Sequence, residues 1–343
     1  MTYICFAASP IHLICFREYI YKYKIKTYKI YLISSVDPQV NKQLFLTLKF
    51  LKLKSFTTIR RHNFKLIQFL QKYILLFNVY SIHKNDDCTF IISDFRNTIL
   101  HQLRIIFKKS KFILIDDGSQ IFEFYEEYLE KNIYFPLKDI STIFGKLKSL
   151  INYGNNINFL INTKFELFTI YAKELGLKNY SHNKLKFLDD NFDINSQFCE
   201  SSVYFIGGKM AEENYLSYNE EIESLKKVKN FWRNKNKTLV YIAKRTTSKK
   251  KIELIKKELK IKVIFSDMPM ELQFLSQNSF KIPKILCSLG SSVDKTFPMI
   301  YKGSINYLMI INDLKKYDFF LNYFKLYKDL MCKSKLEKNI VEL

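Results

Sequence analysis

What the sequence does not contain narrows it first. Its six cysteines (Cys5, Cys15, Cys88, Cys199, Cys287 and Cys332) are scattered and make no C-x-x-C pair. That excludes a disulfide framework and a cysteine zinc site, and fits reduced thiols. Its five histidines stop at His182, and no H-x-x-H or H-E-x-x-H spacing occurs, so no metal is expected. No G-x-x-x-x-G-K-[ST] loop is present, which argues against a kinase or ATPase. No repeat recurs at a fixed period. The first residues lack the basic segment of a signal peptide. No apolar run approaches the ~20 residues of a membrane span. These absences lead to the expectation of a cytoplasmic protein, soluble or peripheral at the inner membrane face.

What is present is a chain of 343 residues, 48% hydrophobic, enough for one large or two medium cores and too apolar for disorder. The formal net charge is +22. Such a charge attracts polyanions, whether nucleic acid, an anionic membrane face, a nucleotide-sugar or an acidic glycan. AT-biased coding, which also enriches Lys, Ile, Tyr, Phe and Asn, accounts for part of it equally well.

Short β-rich runs alternate with amphipathic stretches. Strands are expected at Tyr3–Ala8, Lys29–Ser34, Thr89–Ser93 and Lys111–Ile115, with helices at 45–54, 64–77 and 98–107. The middle, 131–196, is poorer in strand signals, and 185–196, with its run of Asp and Asn, reads as a linker. Alternation then resumes, with strands at 203–206, 238–243, 262–265, 284–288 and 306–311 and helices at 218–233, 249–259 and 318–332. The pattern predicts an α/β protein of two Rossmann-like domains facing a cleft, with ligands beyond the carboxyl ends of the strands.

Four strand ends carry unusual polar groups. Asp116–Asp117–Gly118 offers a carboxylate base, and equally an ordinary Asp-rich turn. Lys244–Arg245, followed by two threonines, suits a phosphate, and equally a solvated charge run. Pro269–Met270–Glu271 could hold ribose hydroxyls, although by itself it reads more readily as a plain helix start. Leu289–Gly290–Ser291–Ser292 suits an anion at a helix N-terminus, and equally a serine cap.

The order of these elements, with Ala8–Ser9–Pro10–Ile11–His12–Leu13 at the start and Phe205–Ile206–Gly207–Gly208, Glu212, Leu216–Ser217 and Tyr218 midway, resembles the bacterial lipooligosaccharide sialyltransferases and capsular polysialyltransferases. The resemblance runs to about residue 300 and implies a GT-B type fold. The expected domains are an acceptor-side domain over 1–195 that carries the base, a donor-binding domain over 196–315, and a C-terminal helix, 316–343, that its amphipathic spacing reads as packed back on the first domain. Asp116 would be the general base. Ser291 and Ser292 would hold the phosphate of a CMP-sugar, Glu271 the ribose, and the backbone near Pro269 the cytosine. Ser9 and Gly207 would line the cleft near the sugar. Lys244 stands where the family has histidine, with Arg245 beside it, and as a cation would stabilise the departing phosphate. The implied activity is inverting, metal-independent transfer of sialic acid from its CMP donor to a lipooligosaccharide or capsule glycan. Kdo, pseudaminic and legionaminic acid remain alternative sugars.

Two readings from other classes stay open: a basic nucleic-acid-binding protein, against which no RNA-binding motif or zinc finger is found, and a catalytically silent partner in capsule assembly. The stretch 318–338 mixes Phe, Leu and Tyr with Lys. It reads as a packing helix or as a peripheral contact with anionic lipid. A homodimer is left open.

Overall fold

The computed structural model describes residues 1–60, 64–118, 120–137, 142–176, 181–192, 198–244, 246–276, 281–291 and 293–343. The chain forms two compact units, Met1–Phe187 and Leu188–Leu343. The divide falls inside the expected linker but eight residues before the expected boundary, because 186–191 is a short helix (Lys186–Asn191) rather than a free strap.

The first unit holds seven parallel strands: β1 (Thr2–Ala7), β2 (Tyr28–Ile33), β3 (Phe56–Ile59), β4 (Cys88–Ile92), β5 (Lys111–Ile115), β6 (Glu166–Thr169) and β7 (Ser181–His182). Their order across the sheet is β3-β2-β1-β4-β5-β6-β7. β1, β4 and β5 read as unbroken apolar runs because both faces of a central parallel strand are covered by helices. Ile4, Cys5, Phe90, Ile91, Leu114 and Ile115 are accordingly buried. Three strands escaped the sequence reading. β3 is a largely exposed edge strand and β7, at the other edge, has two residues, so neither carries a buried run; β6 is buried but only four residues long.

The second unit repeats the scheme with β8 (Phe198–Ile206), β9 (Thr238–Ala243), β10 (Lys262–Phe265), β11 (Ile282–Ser288), β12 (Ile305–Ile310) and β13 (Ile340–Glu342), in the order β10-β9-β8-β11-β12-β13, all parallel. The helix Tyr218–Arg233 starts in a capping box. The Ser217 hydroxyl accepts from the Glu220 N–H at 3.2 Å, and the Glu220 carboxylate accepts from the Ser217 N–H at 2.9 Å. The stretch 154–158 is a 3-10 turn running into the helix Ile157–Asn162.

The C-terminal segment 316–343 departs from expectation. Its helix, Asp318–Lys333, sets Phe320, Phe324, Tyr327 and Met331 into the second unit's own core, beside Cys287, Leu308 and Leu289. β13 then pairs with β12 of the same sheet. The apolar stripe that suggested packing onto the first domain packs within the second unit, while Phe319 and Leu321 on the same helix stay exposed. No helix among the described residues is long and apolar enough to cross a membrane.

In each sheet the strand order reverses once, between β1 and β4 and between β8 and β11. Loops leave such a switch point in opposite directions and open a crevice at the carboxyl ends, where doubly wound sheets bind ligands. Each unit has a cavity at its reversal.

Candidate functional sites at the two switch points

The first cavity, of about 270 Å³, is lined by Ala8, Ser9 and His12 beyond β1, Ser93 and Asp94 beyond β4, and Asp117 beyond β5. His12 projects from the first turn of the helix Pro10–Lys22, whose fixed start is Pro10 at N1. The Ala8 N–H donates to His12 Nδ1 at 3.1 Å, and the Ser93 hydroxyl lies 2.8 Å from the same nitrogen. A ring nitrogen that accepts carries no proton, so Nε2 does. Nε2 therefore donates to Asp117 Oδ1 at 2.7 Å. Both line the cavity, but His12 is almost wholly buried whereas the Asp117 side chain is 28% exposed, so the carboxylate is the more open member of the pair. The Ser9 hydroxyl is buried in this wall with no partner among the described residues.

Asp116, expected as the general base, points the other way and is fully buried. It accepts hydrogen bonds from the Thr169 hydroxyl, the Ile170 N–H at 2.9 Å and the Cys15 thiol at 3.8 Å. Burial pushes its pKa up to about 7, those three donors oppose the rise, and neighbouring Asp117 adds to it. Asp116 ties the end of β5 to the end of β6 and does not line the cavity. Of the two adjacent aspartates, Asp117 is the one that lines the cavity, together with Asp94.

The second cavity, of about 320 Å³, is lined by Ile206–Met210 beyond β8, Lys244 beyond β9 and Leu289–Ser291 beyond β11. Gly207, Lys244 and Ser291 thus line one cavity, whereas Ser9, expected beside Gly207, lines the other. Arg245 and Ser292 lie outside the described residues. Gly207 admits no side chain, because a Cβ there would fall 2.2 Å from the Tyr241 hydroxyl. Gly290 turns with φ +117, where a Cβ would meet Tyr327 and Tyr323. Lys244 is exposed along its surface, yet protein packed around its ammonium, then the charges of Lys209 and Lys251, hold its pKa below the usual lysine range.

Pro269 and Glu271 are not part of this wall. Pro269 starts the helix Met270–Ser276, and its carbonyl accepts from the Leu272 N–H at 2.9 Å. Glu271 is buried against the helix Val293–Ile300, its carboxylate accepting from the Thr296 hydroxyl at 3.3 Å.

Two features of this site were missed from sequence. Phe319 and Tyr323, from the first turns of the C-terminal helix, enter the cavity wall beside Tyr215. Tyr215 and Phe319 stack at 3.9 Å with an 8° interplanar angle, and the Tyr323 hydroxyl donates to the Gly290 carbonyl. The result is an aromatic face next to two cations, Lys209 and Lys244, and one carboxylate, Glu213, which pairs with Lys209 at 3.6 Å. Beneath it lies Lys251, 1% exposed. Its ammonium donates to the Gly208 carbonyl at 2.7 Å and contacts Glu212 at 3.1 Å and Glu221 at 2.5 Å. Glu221 in turn accepts from the Ala211 N–H at 3.0 Å, so the network holds loop 208–212. The deeper Glu221 is raised by burial. The shallower Glu212 is lowered, because its burial is outweighed by the Ser248 N–H and Lys251. Nothing in a chain so rich in lysine marks Lys251 as the buried one.

Among the described residues one set of potential metal donors, His83, Asp86 and Cys88, lies within 4.8 Å of one another, and none of the three lines either cavity.

No family model and no curated protein matches the chain. Solved structures do. UDP-GlcNAc 2-epimerase from Neisseria meningitidis, bound to UDP-GlcNAc, superposes with a TM-score of 0.52 at 13% identity, covering 100% of this chain and 95% of that one. The S. aureus MnaA–UDP complex gives 0.53 at 12% identity, covering 98% and 90%. At such identity the likeness establishes the fold, and that fold is the GT-B type: two Rossmann-like parallel-sheet units.

Proposed function

We propose that the chain is an inverting, metal-independent glycosyltransferase that moves a sugar from a nucleotide-activated donor to a glycan hydroxyl. Its donor is sialic acid, or a related nonulosonic acid, carried on CMP. The observation that carries the proposal is the opposite chemistry of the two switch-point cavities. The first presents carboxylates, Asp117 and Asp94, and an unpartnered hydroxyl, Ser9. It repels phosphate and suits a neutral sugar hydroxyl. The second presents Lys209 and Lys244 beside the Tyr215–Phe319 stack, with one carboxylate, Glu213, paired to Lys209 at 3.6 Å; the net positive charge next to an aromatic face suits a phosphate joined to a nucleobase.

In this reading the acceptor hydroxyl loses its proton to the free oxygen of Asp117 as its own oxygen bonds the anomeric carbon. The bond from that carbon to the phosphate oxygen breaks, and the electron pair leaves with the nucleoside phosphate. One displacement from the face opposite the leaving group inverts the anomeric centre. His12 keeps its Nε2–H on Oδ1 throughout and holds the carboxylate's orientation, a positioning role. Lys244 neutralises the leaving phosphate, an electrostatic contribution that usually dominates such steps. Its depressed pKa also lets it give a proton, which an ordinary lysine near neutral pH does poorly. That accounts for a lysine where the resembling family has histidine.

CMP is supported by the resemblance in motif order, whereas the superposed structures are those of proteins bound to UDP or UDP-GlcNAc. Nucleotide release measured with CMP-sialic acid, CMP-Kdo and UDP-GlcNAc, each with and without a glycan acceptor, separates these donors. The expected result is acceptor-dependent release of CMP, lowered about 10²–10⁴-fold by Asp117→Asn. Acceptor-independent conversion of UDP-GlcNAc would instead make the chain an epimerase. Equal release by wild type and Asp117→Asn would remove the mechanism.

A further inference from the structure

The stretch 318–338, read as a packing helix or a lipid contact, commits Phe320, Phe324, Tyr327 and Met331 to a core and leaves Phe319 and Leu321 exposed; another helix leaves much more apolar surface open. The helix Lys65–His83 buries one stripe, Leu75, Leu76, Val79 and His83, against the first unit. Ile67, Leu70, Ile74 and Phe77 follow one another at three- and four-residue steps on a second stripe and are 37%, 53%, 59% and 68% exposed. Phe69, Tyr73 and Tyr80 flank that stripe, also exposed. Lys72 donates to Asn152 at 2.8 Å, which brings up the helix Ile143–Tyr153 with its exposed Leu150 and Ile151. Monomeric proteins rarely leave so continuous an apolar surface to water.

The charge around this surface selects its occupant. From residue 38 to residue 85 the sequence has nine lysines and arginines and no aspartate or glutamate. The helix Ile143–Tyr153 adds Lys146 and Lys148, again without an acid. Lys72 is held below its usual range by burial and by the Lys148 ammonium, a sign of positive charge with no local counter-ion. A second copy of the chain would oppose like charges across the contact. Nucleic acid would satisfy the cations but not the aliphatic stripe. An anionic bilayer satisfies both, taking the apolar stripe at the acyl boundary and the cations at its headgroups.

We propose that the helix Lys65–His83, with Leu150 and Ile151 beside it, is a membrane-surface element that lies on anionic lipid. At 1.5 Å per residue the helix presents about 28 Å of contact along the surface. The proposal does not rest on the glycosyltransferase reading.

The test is sedimentation of the full-length chain with vesicles of mixed phosphatidylglycerol and phosphatidylcholine, and with vesicles of phosphatidylcholine alone. The expected result is binding to the anionic vesicles that weakens with added salt, and at least about tenfold weaker binding to the neutral ones. Leu70→Asp and Phe77→Asp, both at exposed positions where the fold tolerates them, should each lower anionic-vesicle binding at least about tenfold. Leu321→Asp, on the C-terminal helix, should leave it unchanged. The inference is overturned if the wild-type chain stays in solution with anionic vesicles, or binds both vesicle types equally. It is overturned too if Leu321→Asp rather than Phe77→Asp abolishes binding. Concentration-dependent dimers in sedimentation velocity, dissolved by Phe77→Asp, would show the face to be a self-contact instead.

Discussion

Two adjacent aspartates with different fates show what a single backbone turn decides. Asp116 continues inward from β5 and meets three donors. Asp117 rolls over to the cavity and is held by His12. At neutral pH Asp116, with a pKa of about 7, is already partly protonated, so Asn is a near mimic. Asp116→Asn should keep glycosyl transfer within about tenfold, whereas the loss in Asp117→Asn should approach that of removing a general base, about 10²–10⁴-fold. Initial rates for the two purified variants check this, and the reverse order would restore Asp116 as the base. Gly207 makes a second prediction at this scale. With only 2.2 Å between a new Cβ and the Tyr241 hydroxyl, Gly207→Ala should destabilise the protein by about 1–3 kcal/mol, measurable by urea denaturation.

At the scale of elements, loop 208–212 and the C-terminal helix build the second cavity from opposite sides. The loop depends on Lys251. Replacing it with methionine leaves the buried Glu221, and the half-buried Glu212 beside it, without their cation, and breaking a buried pair costs about 3–5 kcal/mol. A fall of that size in unfolding free energy, with nucleotide affinity lost alongside, is expected for Lys251→Met. A well-folded variant of unchanged affinity would show the network to be dispensable. The helix contributes Phe319. If its ring carries the nucleobase, Phe319→Ala should weaken binding by about 1–3 kcal/mol, read by calorimetric titration with CMP and UDP, while urea denaturation changes little at so exposed a residue.

Across the whole molecule, the two units share one strand order and therefore one place for a crevice, and each has a carboxylate buried behind it. Asp294, like Asp116, is raised by burial to about 7, although it accepts from the Ser288 hydroxyl at 2.7 Å and the Ser291 N–H at 2.9 Å. An unfolded aspartate titrates near ~3.9. Between that value and about 7 the folded chain keeps protons that the unfolded chain releases, so these two groups weaken folding as pH rises through the window and add no further change above it. Urea unfolding should show greater stability near pH 5 than near pH 8. Replacing Asp116 or Asp294 with Asn should flatten that slope. A slope of opposite sign would mean that other carboxylates dominate.

The primary sequence alone determined the layered α/β architecture and its doubling. Apolar runs of central parallel strands and the 3.6-residue periodicity of helices are local properties that survive without any partner. Ser9, Gly207, Lys244 and Ser291 were legible for the same reason, since a polar group just beyond a buried strand has little choice but the carboxyl end of the sheet. The tertiary structure alone decided which of two neighbouring aspartates faces the cavity, and that Glu271 is turned into the packing. It likewise decided that one lysine among many is buried, and that two aromatics more than a hundred residues from Tyr215 complete its stack. Each of those outcomes depends on side chains from distant strands and helices arriving at the same point, and spacing along one chain holds no record of that.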